Sequence, residues 1–239
     1  MKFLKQVIFA HRGASGLVKH ENTMEAFEKS VELKADGIEL DIRKTKDQKI
    51  VVIHNDSIND LKICDLTYDE IKKITLRENY IIPLFEDVLK FSKSRILLDI
   101  EVKESGYEKE IIDLVLKYLK YDEFYLRSFH KESVKLFKEL DKNITTVLLL
   151  GGDNGKGFKG RCKEIFPNSY IKYTKCDIIS PHYRLLLFGF IKRMHIKKIP
   201  VIVWTVNEEK RMYDILHKKK ADGIITNFPN IGLEILNKK

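Results

Sequence analysis

The sequence predicts an α/β protein built as a parallel eight-stranded barrel, the (β/α)8 or TIM barrel. Two observations lead to this fold: short apolar runs alternate with helical patterns along the chain, and eight such runs are present. A length of 239 residues, 44% of them hydrophobic, is enough for one large domain with a complete core. We therefore expect a single domain over residues 1–239.

The predicted strands are short apolar runs rich in β-branched residues, a pattern typical of strands that are buried on both faces. In chain order they are Val7–Ala10, Gly37–Ile42, Ile96–Glu101, Phe124–Arg127, Thr145–Leu149, Asp177–Ile179, Val201–Trp204 and Gly223–Thr226.

Helix signals lie between these strands. Thr23 is the predicted N-cap of a helix over Met24–Leu33, and Tyr107–Leu119 has apolar residues at helical spacing. Asn207, followed by two glutamates, opens a further helix over Lys210–Lys218 with acidic side chains at its positive end. Strand and helix therefore alternate as a barrel requires.

One segment departs from this alternation. Between the second strand and its helix, which begins near Leu84, the chain contains a strand at Ile50–Ile53 and then a short helix. That helix is opened by Thr67-Tyr68-Asp69-Glu70, the sequence of a capping box. We interpret residues 45–83 as a small insertion within the barrel domain.

Charge and cysteine content narrow the classes of function. The net charge of +9 favours anionic ligands, but the lysines are spread along the chain and no nucleic-acid-binding motif is evident. The three cysteines are odd in number and lack metal-type spacing, which argues against a disulfide framework. No signal peptide is evident, so we expect a cytoplasmic protein. Because no nucleic-acid-binding motif is evident, we expect that the protein does not bind nucleic acid.

No stretch approaches the roughly 20 apolar residues of a membrane span, so we expect no stable membrane insertion. The longest apolar run, Leu185–Ile191, ends at Lys192 and Arg193. The favoured interpretation of this run is a buried barrel helix, and the alternative is a segment that touches a membrane.

Three carboxylates are expected at one rim of the barrel. Glu39 and Asp41 are two residues apart on a strand, so their side chains point to the same face, while their apolar neighbours face the helices. Glu101 ends the third barrel strand, and the C-terminal ends of barrel strands meet at one rim. We therefore expect these three side chains to converge.

Inward-facing carboxylates repel one another and lose solvation unless a cation lies between them. A site made of carboxylate oxygens suits Mg²⁺ or Ca²⁺ better than zinc. The alternative is that the acids pair with Arg43 or Lys103, but three acids exceed what those two cations neutralise.

Two histidines and two cations accompany the carboxylates. His11 directly follows the first strand and His54 follows the strand of the insertion, and we interpret them as a general acid and a general base without assigning which is which. Arg12 and Lys103 offer positive charge to phosphate oxygens. A metal cage, an acid/base pair and this charge are what phosphodiester hydrolysis requires.

Trp204 ends the seventh predicted strand, where it would form an apolar wall for the substrate. Core packing is the alternative role for this side chain. The remaining histidines lack comparable neighbours, and we expect them in surface or packing positions; they are His20, His130, His182, His195 and His217.

The segments that contain these residues resemble the glycerophosphodiester phosphodiesterase family over nearly the whole chain. The matching segments include His11-Arg12-Gly13, Glu21-Asn22-Thr23, Ala35–Asp41, Val51–His54, Glu101-Val102-Lys103, Val203–Asn207 and Ala221–Pro229. His20 stands where the family usually has proline, and Asn55 stands where it usually has aspartate.

The resemblance implies a metal-dependent TIM barrel that hydrolyses small glycerophosphodiesters, such as glycerophosphocholine or glycerophosphoethanolamine. The products would be glycerol 3-phosphate and an alcohol, which belong to lipid and glycerol metabolism. The implied residues are His11 and His54 as catalytic groups, Glu39, Asp41 and Glu101 as metal ligands, and Arg12 and Lys103 as phosphate contacts.

Two alternative functions accompany this interpretation. A related barrel phospholipase would act on intact lipids and would need an exposed apolar rim, for which Leu185–Ile191 is the candidate. A non-catalytic barrel that binds phosphorylated ligands would be favoured by the loss of a histidine or an acid, and none is lost. Either water or the glycerol's own hydroxyl would be the attacking oxygen, and the oligomeric state stays open.

Overall fold

Parallel strands follow one another around a barrel in the computed structural model, which describes residues 5–152 and 157–238. The strands are β1 (Val7–His11), β2 (Gly37–Lys44), β3 (Ile50–Val52), β4 (Ser57–Ile58), β5 (Leu61–Lys62), β6 (Leu97–Val102), β7 (Phe124–Ser128), β8 (Thr146–Leu150), β9 (Ile178–Pro181), β10 (Ile202–Val203) and β11 (Gly223–Thr226). The helices are α1 (Met24–Glu32), α2 (Tyr68–Leu76), α3 (Phe85–Ser92), α4 (Glu108–Tyr118), α5 (Lys131–Leu140), α6 (Phe158–Ile165), α7 (Asn168–Thr174), α8 (Phe190–Ile196), α9 (Glu209–Tyr213) and α10 (Pro229–Asn237).

The barrel strands are hydrogen-bonded in the order β10-β11-β1-β2-β6-β7-β8-β9, and every neighbouring pair in this row is parallel. Two single parallel bridges, Ile179 with Val201 and His182 with Trp204, join the ends of the row. Helices alternate with these strands, so the predicted (β/α)8 barrel is confirmed.

Side chains alternate between the inside and the outside of the barrel. Phe9 and Ile178 pack in an interior apolar cluster, whereas Leu40 of β2 packs outward with Phe27 of α1 and Phe85 of α3. This alternation is the period of a strand, and it turns Glu39 and Asp41 inward as predicted. The outward-facing apolar residues hold the helices against the sheet.

Local capping signals predicted the starts of two helices. The Thr23 hydroxyl accepts a hydrogen bond from the backbone N–H of Ala26, which makes it the N-cap of α1. Thr67 and Glu70 form the predicted capping box at the start of α2. The helix predicted over Lys210–Lys218 is instead α9 followed by a π-helical turn, and such wider turns are not encoded by apolar spacing alone.

Between β2 and α3 the chain forms a small structure beside the barrel. β3 pairs antiparallel with β2, and β4 pairs with β5 as a two-stranded ribbon. Ile58, Ile63 and Ile71 belong to an apolar cluster of this segment, separate from the barrel's own. The interpretation of residues 45–83 as an insertion within one catalytic domain stays a prediction.

The run Leu185–Ile191 is not the buried helix that its hydropathy favoured. Tyr183–Leu185 is a single 3₁₀ turn, and α8 begins only at Phe190. Between them, Phe188 and Gly189 have left-handed backbone angles (φ 51° and 66°), which no α-helix continues through. As a result Phe188 is exposed, at 74% of its surface. Within the described residues, no helix is long and apolar enough to cross a membrane.

Candidate active site

The ends of three neighbouring strands bring the predicted acids together. In the register of the sheet His11 of β1 lies beside Glu39 of β2, and Asp41 of β2 lies beside Glu101 of β6. Carboxylate oxygens of the three acids all lie within 4.8 Å of one another, and all three residues are buried. The convergence expected from strand geometry is therefore present at the C-terminal rim.

Lys103 is the nearest cation to these acids. Its Nζ lies 2.7 Å from an oxygen of Asp41 and 2.6 Å from an oxygen of Glu101. The guanidinium Nε of Arg12 lies 3.4 Å from the other oxygen of Asp41. Burial opposes ionisation of Asp41, but Lys103 and Arg12 outweigh it and hold the pKa of this carboxyl well below its usual range.

Glu39 has the opposite electrostatic environment. Burial raises the pKa of its carboxyl, and the negative charge of Asp41 raises it further. Oε2 of Glu39 accepts a hydrogen bond from the backbone N–H of Arg12 at 3.2 Å and lies 3.9 Å from Nε2 of His11, while the charge of Arg127 only partly offsets the rise in pKa. Ionised Glu39 therefore needs additional positive charge beside it.

The alternative of simple ion pairing accounts for part of this cluster. Lys103 pairs with two of the acids, as that alternative supposed, whereas Arg43 turns away to Glu104 and the carbonyl of His54. Three buried carboxylates in reach of one another, one of them with a raised pKa, form a hard oxygen donor set that fits a divalent cation such as Mg²⁺ or Ca²⁺.

The two predicted catalytic histidines line the same cleft, which has a volume of about 470 Å³. Burial and the charge of Arg12 lower the pKa of His11 to about 3. His11 Nδ1 donates to the side-chain oxygen of Asn227 at 2.6 Å, which leaves Nε2 as an acceptor. Burial also lowers the pKa of His54, with a further contribution from Lys103.

Arg12 is fixed by its backbone as well as by its partners. It has a left-handed conformation (φ 56°), and Nη1 donates to Glu21 at 2.7 Å. Gly13 follows with φ 79°, and a Cβ at Gly13 would lie 2.6 Å from the Cβ of Ala26. The His-Arg-Gly segment therefore requires glycine at its third position so that α1 can approach the site.

Aromatic side chains form another wall of the cleft. Trp204 meets Phe129 edge-on with ring centroids 5.5 Å apart, and meets His182 edge-on at 5.0 Å. The indole N–H of Trp204 donates to the carbonyl of Ser180 at 2.9 Å, which fixes the ring. All three rings line the cleft, so the packing position expected for His182 lies at the rim of the site, where the end of its strand brings it.

Three further residues at the site were not predicted. The side-chain amide of Asn22 donates to Asp41 at 2.9 Å, Asn227 holds His11, and Arg127 lines the cleft while pairing with Asp99 beneath it. Asn22 and Asn227 lie in motifs that carried the family resemblance. Arg127 is a charged residue at a strand end, which is the signal that identified Glu101.

Residues 11–231 match the sequence model of a protein family, which is described as the Glycerophosphoryl diester phosphodiesterase family. A glycerophosphodiester phosphodiesterase from Bacillus altitudinis is 30% identical over 249 residues, covering 95% of this chain and 97% of that protein.

Two solved structures share the fold. A glycerophosphodiester phosphodiesterase from Parabacteroides distasonis has a TM-score of 0.82 at 24% identity, covering 97% of this chain and 98% of that one. An Oleispira antarctica phosphodiesterase, solved with its product sn-glycerol-3-phosphate, has a TM-score of 0.83 at 17% identity, with 97% of each chain covered.

Proposed function

This chain belongs to the glycerophosphoryl diester phosphodiesterase family, and from that premise we propose a metal-dependent reaction that uses two histidines. The substrates are small glycerophosphodiesters such as glycerophosphocholine or glycerophosphoethanolamine, and the products are glycerol 3-phosphate and an alcohol. The observation that carries the proposal is that His11, His54, Glu39 and Glu101 line one cleft. Carboxylate oxygens of Glu39, Glu101 and the buried Asp41 lie within 4.8 Å of one another.

Glu39, Asp41 and Glu101 would hold the metal, as their shared position and oxygen donors suggest. A bound divalent cation supplies Lewis-acid stabilisation of charge on a phosphate oxygen. Lys103 and Arg12 add fixed positive charge beside the cleft, and both stay protonated because the neighbouring acids outweigh burial and raise the pKa of each. This charge favours binding of the anionic diester and of the more negative transition state.

His11 is proposed as the general base. Its Nδ1–H is committed to Asn227, so its Nε2 lone pair faces the cleft, and its lowered pKa keeps the ring neutral. In the reaction Nε2 takes the proton of the attacking hydroxyl as the new P–O bond forms. If the attacking hydroxyl belongs to water, the reaction gives glycerol 3-phosphate directly. If it belongs to the glycerol of the substrate, the first product is a cyclic phosphate, which water then opens to glycerol 3-phosphate.

His54 is proposed as the general acid. It is less buried than His11, and its Nδ1 donates to the side-chain oxygen of Asn55 at 2.9 Å. As the P–O bond to the leaving alcohol breaks, that oxygen takes a proton from Nε2 of His54, in the fraction of the protein whose His54 is protonated despite its lowered pKa. Trp204 is proposed to bind the substrate through the aromatic wall of the cleft.

The test is release of glycerol 3-phosphate from several glycerophosphodiesters by purified protein, with EDTA and then with added Mg²⁺ or Ca²⁺. We expect activity to be lost in EDTA and regained with metal. Glu39→Gln should remain inactive at all metal concentrations, while Glu25→Gln, on the exposed face of α1, should match the wild type. Full activity of metal-free protein in chelator would contradict the proposal.

The same assay separates the alternative functions. A non-catalytic barrel would bind glycerol 3-phosphate but release none from any diester. A phospholipase would cleave vesicles of diacyl lipids faster than glycerophosphocholine, whereas we expect the reverse. A cytoplasmic location is also proposed, on the support of three free cysteines.

A further inference from the structure

Apolar side chains are exposed on two neighbouring loops, one between α6 and α7 and one between β9 and α8. Phe166 follows α6 and is 47% exposed, while Leu187 and Phe188 precede α8 and are 47% and 74% exposed. The rings of Phe166 and Phe188 stack with centroids 6.0 Å apart. We call these three residues the rim patch.

The rim patch is held in place by Arg193 in the first turns of α8. Its Nε donates to the carbonyl of Phe188 at 3.1 Å, and its Nη2 donates to the carbonyl of Ile165 at 2.7 Å. The guanidinium also lies over the ring of Phe166, 4.5 Å from its centroid. One cation therefore ties the two loops together.

Phe188 is displayed against its own conformational preference. Its left-handed backbone (φ 51°) is unfavourable for an aromatic residue and common for glycine or asparagine. A strained backbone that presents a large apolar side chain to solvent is maintained at a cost to the fold. Such a feature calls for a function that uses the exposed ring.

The segment of the chain that contains this patch is strongly basic. Residues 157–198 contain ten lysines and arginines but two acids, so this segment holds a net charge of +8 out of the chain's +9. Lys163, Arg184 and Lys192 are exposed and lie within four residues of a patch member. No carboxylate of the described ranges 5–152 and 157–238 lies within 4.0 Å of these three cations.

The rim patch also lies at the catalytic end of the barrel. α6 follows β8, whose C-terminal end leads to Gly151 and Gly152 at the cleft. The segment with Leu187 and Phe188 follows β9, after His182, which lines the same cleft. A surface in contact with the rim patch would therefore lie beside the opening through which substrate enters.

We propose that the rim patch is a docking site for the surface of an anionic lipid bilayer. The apolar tips would enter the region between headgroups and acyl chains, and the surrounding cations would meet the negative headgroups. A second copy of this chain would oppose equal positive charge, so charge complementarity favours the anionic bilayer. The docking is peripheral, goes beyond the proposed function and does not depend on it.

The experiment is co-sedimentation of the full chain with vesicles of phosphatidylcholine alone and with vesicles containing phosphatidylglycerol. We expect binding only to the anionic vesicles, and weaker binding at high salt. Phe188→Asn should lower the partition coefficient by about tenfold, while Tm does not fall because asparagine accepts the left-handed backbone. Ile196→Asn is the matched control: Ile196 is 73% exposed at the other end of α8 and should bind like the wild type.

A second pair of variants tests the charge. Arg184→Gln with Lys192→Gln should weaken binding by about tenfold or more, whereas Lys172→Gln with Lys197→Gln, near the opposite end of the barrel, should have a much smaller effect. The proposal is overturned if wild-type protein stays in the supernatant with anionic vesicles, or if Phe188→Asn lowers Tm and leaves binding unchanged. The proposal is also overturned if RNA, which is a polyanion, binds the protein and displaces all of the vesicles, and if the Phe188→Asn variant binds RNA as tightly as the wild type.

Discussion

The ammonium of Lys103 lies 2.7 Å from Asp41, and the two side chains are only 11% and 1% exposed. Lys103 is thus paired with an oxygen that is also a proposed metal ligand. Removing one partner of a buried ion pair leaves the other charge uncompensated, which typically costs about 3–5 kcal/mol. This relationship makes the stability of the protein depend on what else neutralises Asp41.

We therefore expect Lys103→Met to lower the free energy of unfolding by about 3 kcal/mol in EDTA. Added Mg²⁺ or Ca²⁺ should restore more stability to this variant than to the wild type, since the cation replaces the missing charge. Urea unfolding with and without metal measures both effects. Lys44→Met, which breaks the more exposed pair with Glu110, should change stability by about 1 kcal/mol or less. If added metal raises the free energy of unfolding equally in Lys103→Met and in the wild type, the result contradicts the proposed metal site.

His11→Ala and His54→Ala are each expected to reduce turnover by at least about 10²-fold while the protein stays folded. The physical reason is the loss of proton transfer at the attacking or the leaving oxygen. Steady-state kinetics and circular dichroism check the two parts. His195→Ala, in a pair with Asp222 at the end of α8, serves as the control and should keep wild-type turnover. Near-normal turnover of either cleft variant would remove that histidine from the mechanism.

The lowered pKa of His11 predicts an acid-dependent loss of stability. In the unfolded chain this ring takes a proton near its ordinary pKa of 6.5, whereas in the folded protein it does so only at about 3. The contribution of His11 to the free energy of unfolding is therefore complete above pH 6.5 and declines as the pH falls from 6.5 toward 3. Between about pH 7 and pH 5 the loss should be about 2 kcal/mol.

The comparison of wild type with His11→Asn isolates this contribution, because the carboxylates titrate in both proteins. Chemical unfolding is measured at a series of pH values in chelator. The free energy of unfolding should fall less steeply with decreasing pH in the variant than in the wild type. If the free energy of unfolding falls equally steeply with pH in His11→Asn and in the wild type, the pKa of His11 is not lowered by folding and the prediction is wrong.

The parts of this molecule that the sequence predicted are those set by short-range periodicity. The alternation in β2 fixed which side of the strand Glu39 and Leu40 occupy, and β-branched runs located the barrel strands. The capping residue Thr23 similarly located the start of α1 because its hydroxyl bonds a backbone N–H three residues away.

The parts that were missed depend on contacts between distant segments. Asn227 holds His11 across 216 positions, and nothing near Asn227 in the chain indicates that pairing. The exposure of Phe188 was missed because hydropathy measures composition, whereas left-handed backbone at two successive residues decides where the helix begins. His182 was expected only in a surface or packing position, because its neighbours at the rim come from other strands.

Trp204 offers a test of substrate binding against core packing. Its ring lines the cleft with Phe129 and His182, but it also packs against the interior apolar cluster of the barrel. An aromatic face attracts a quaternary ammonium group by about 0.5–2 kcal/mol, whereas it has no such attraction for a neutral head group. Trp204→Leu should therefore raise KM for glycerophosphocholine by roughly 2- to 30-fold, and raise KM for glycerophosphoglycerol much less. The decisive measurement is the ratio of the two KM values, because a loss of packing lowers Tm without changing that ratio. If KM rises equally for both substrates, or only Tm falls, Trp204 is a packing residue and the head group is recognised elsewhere.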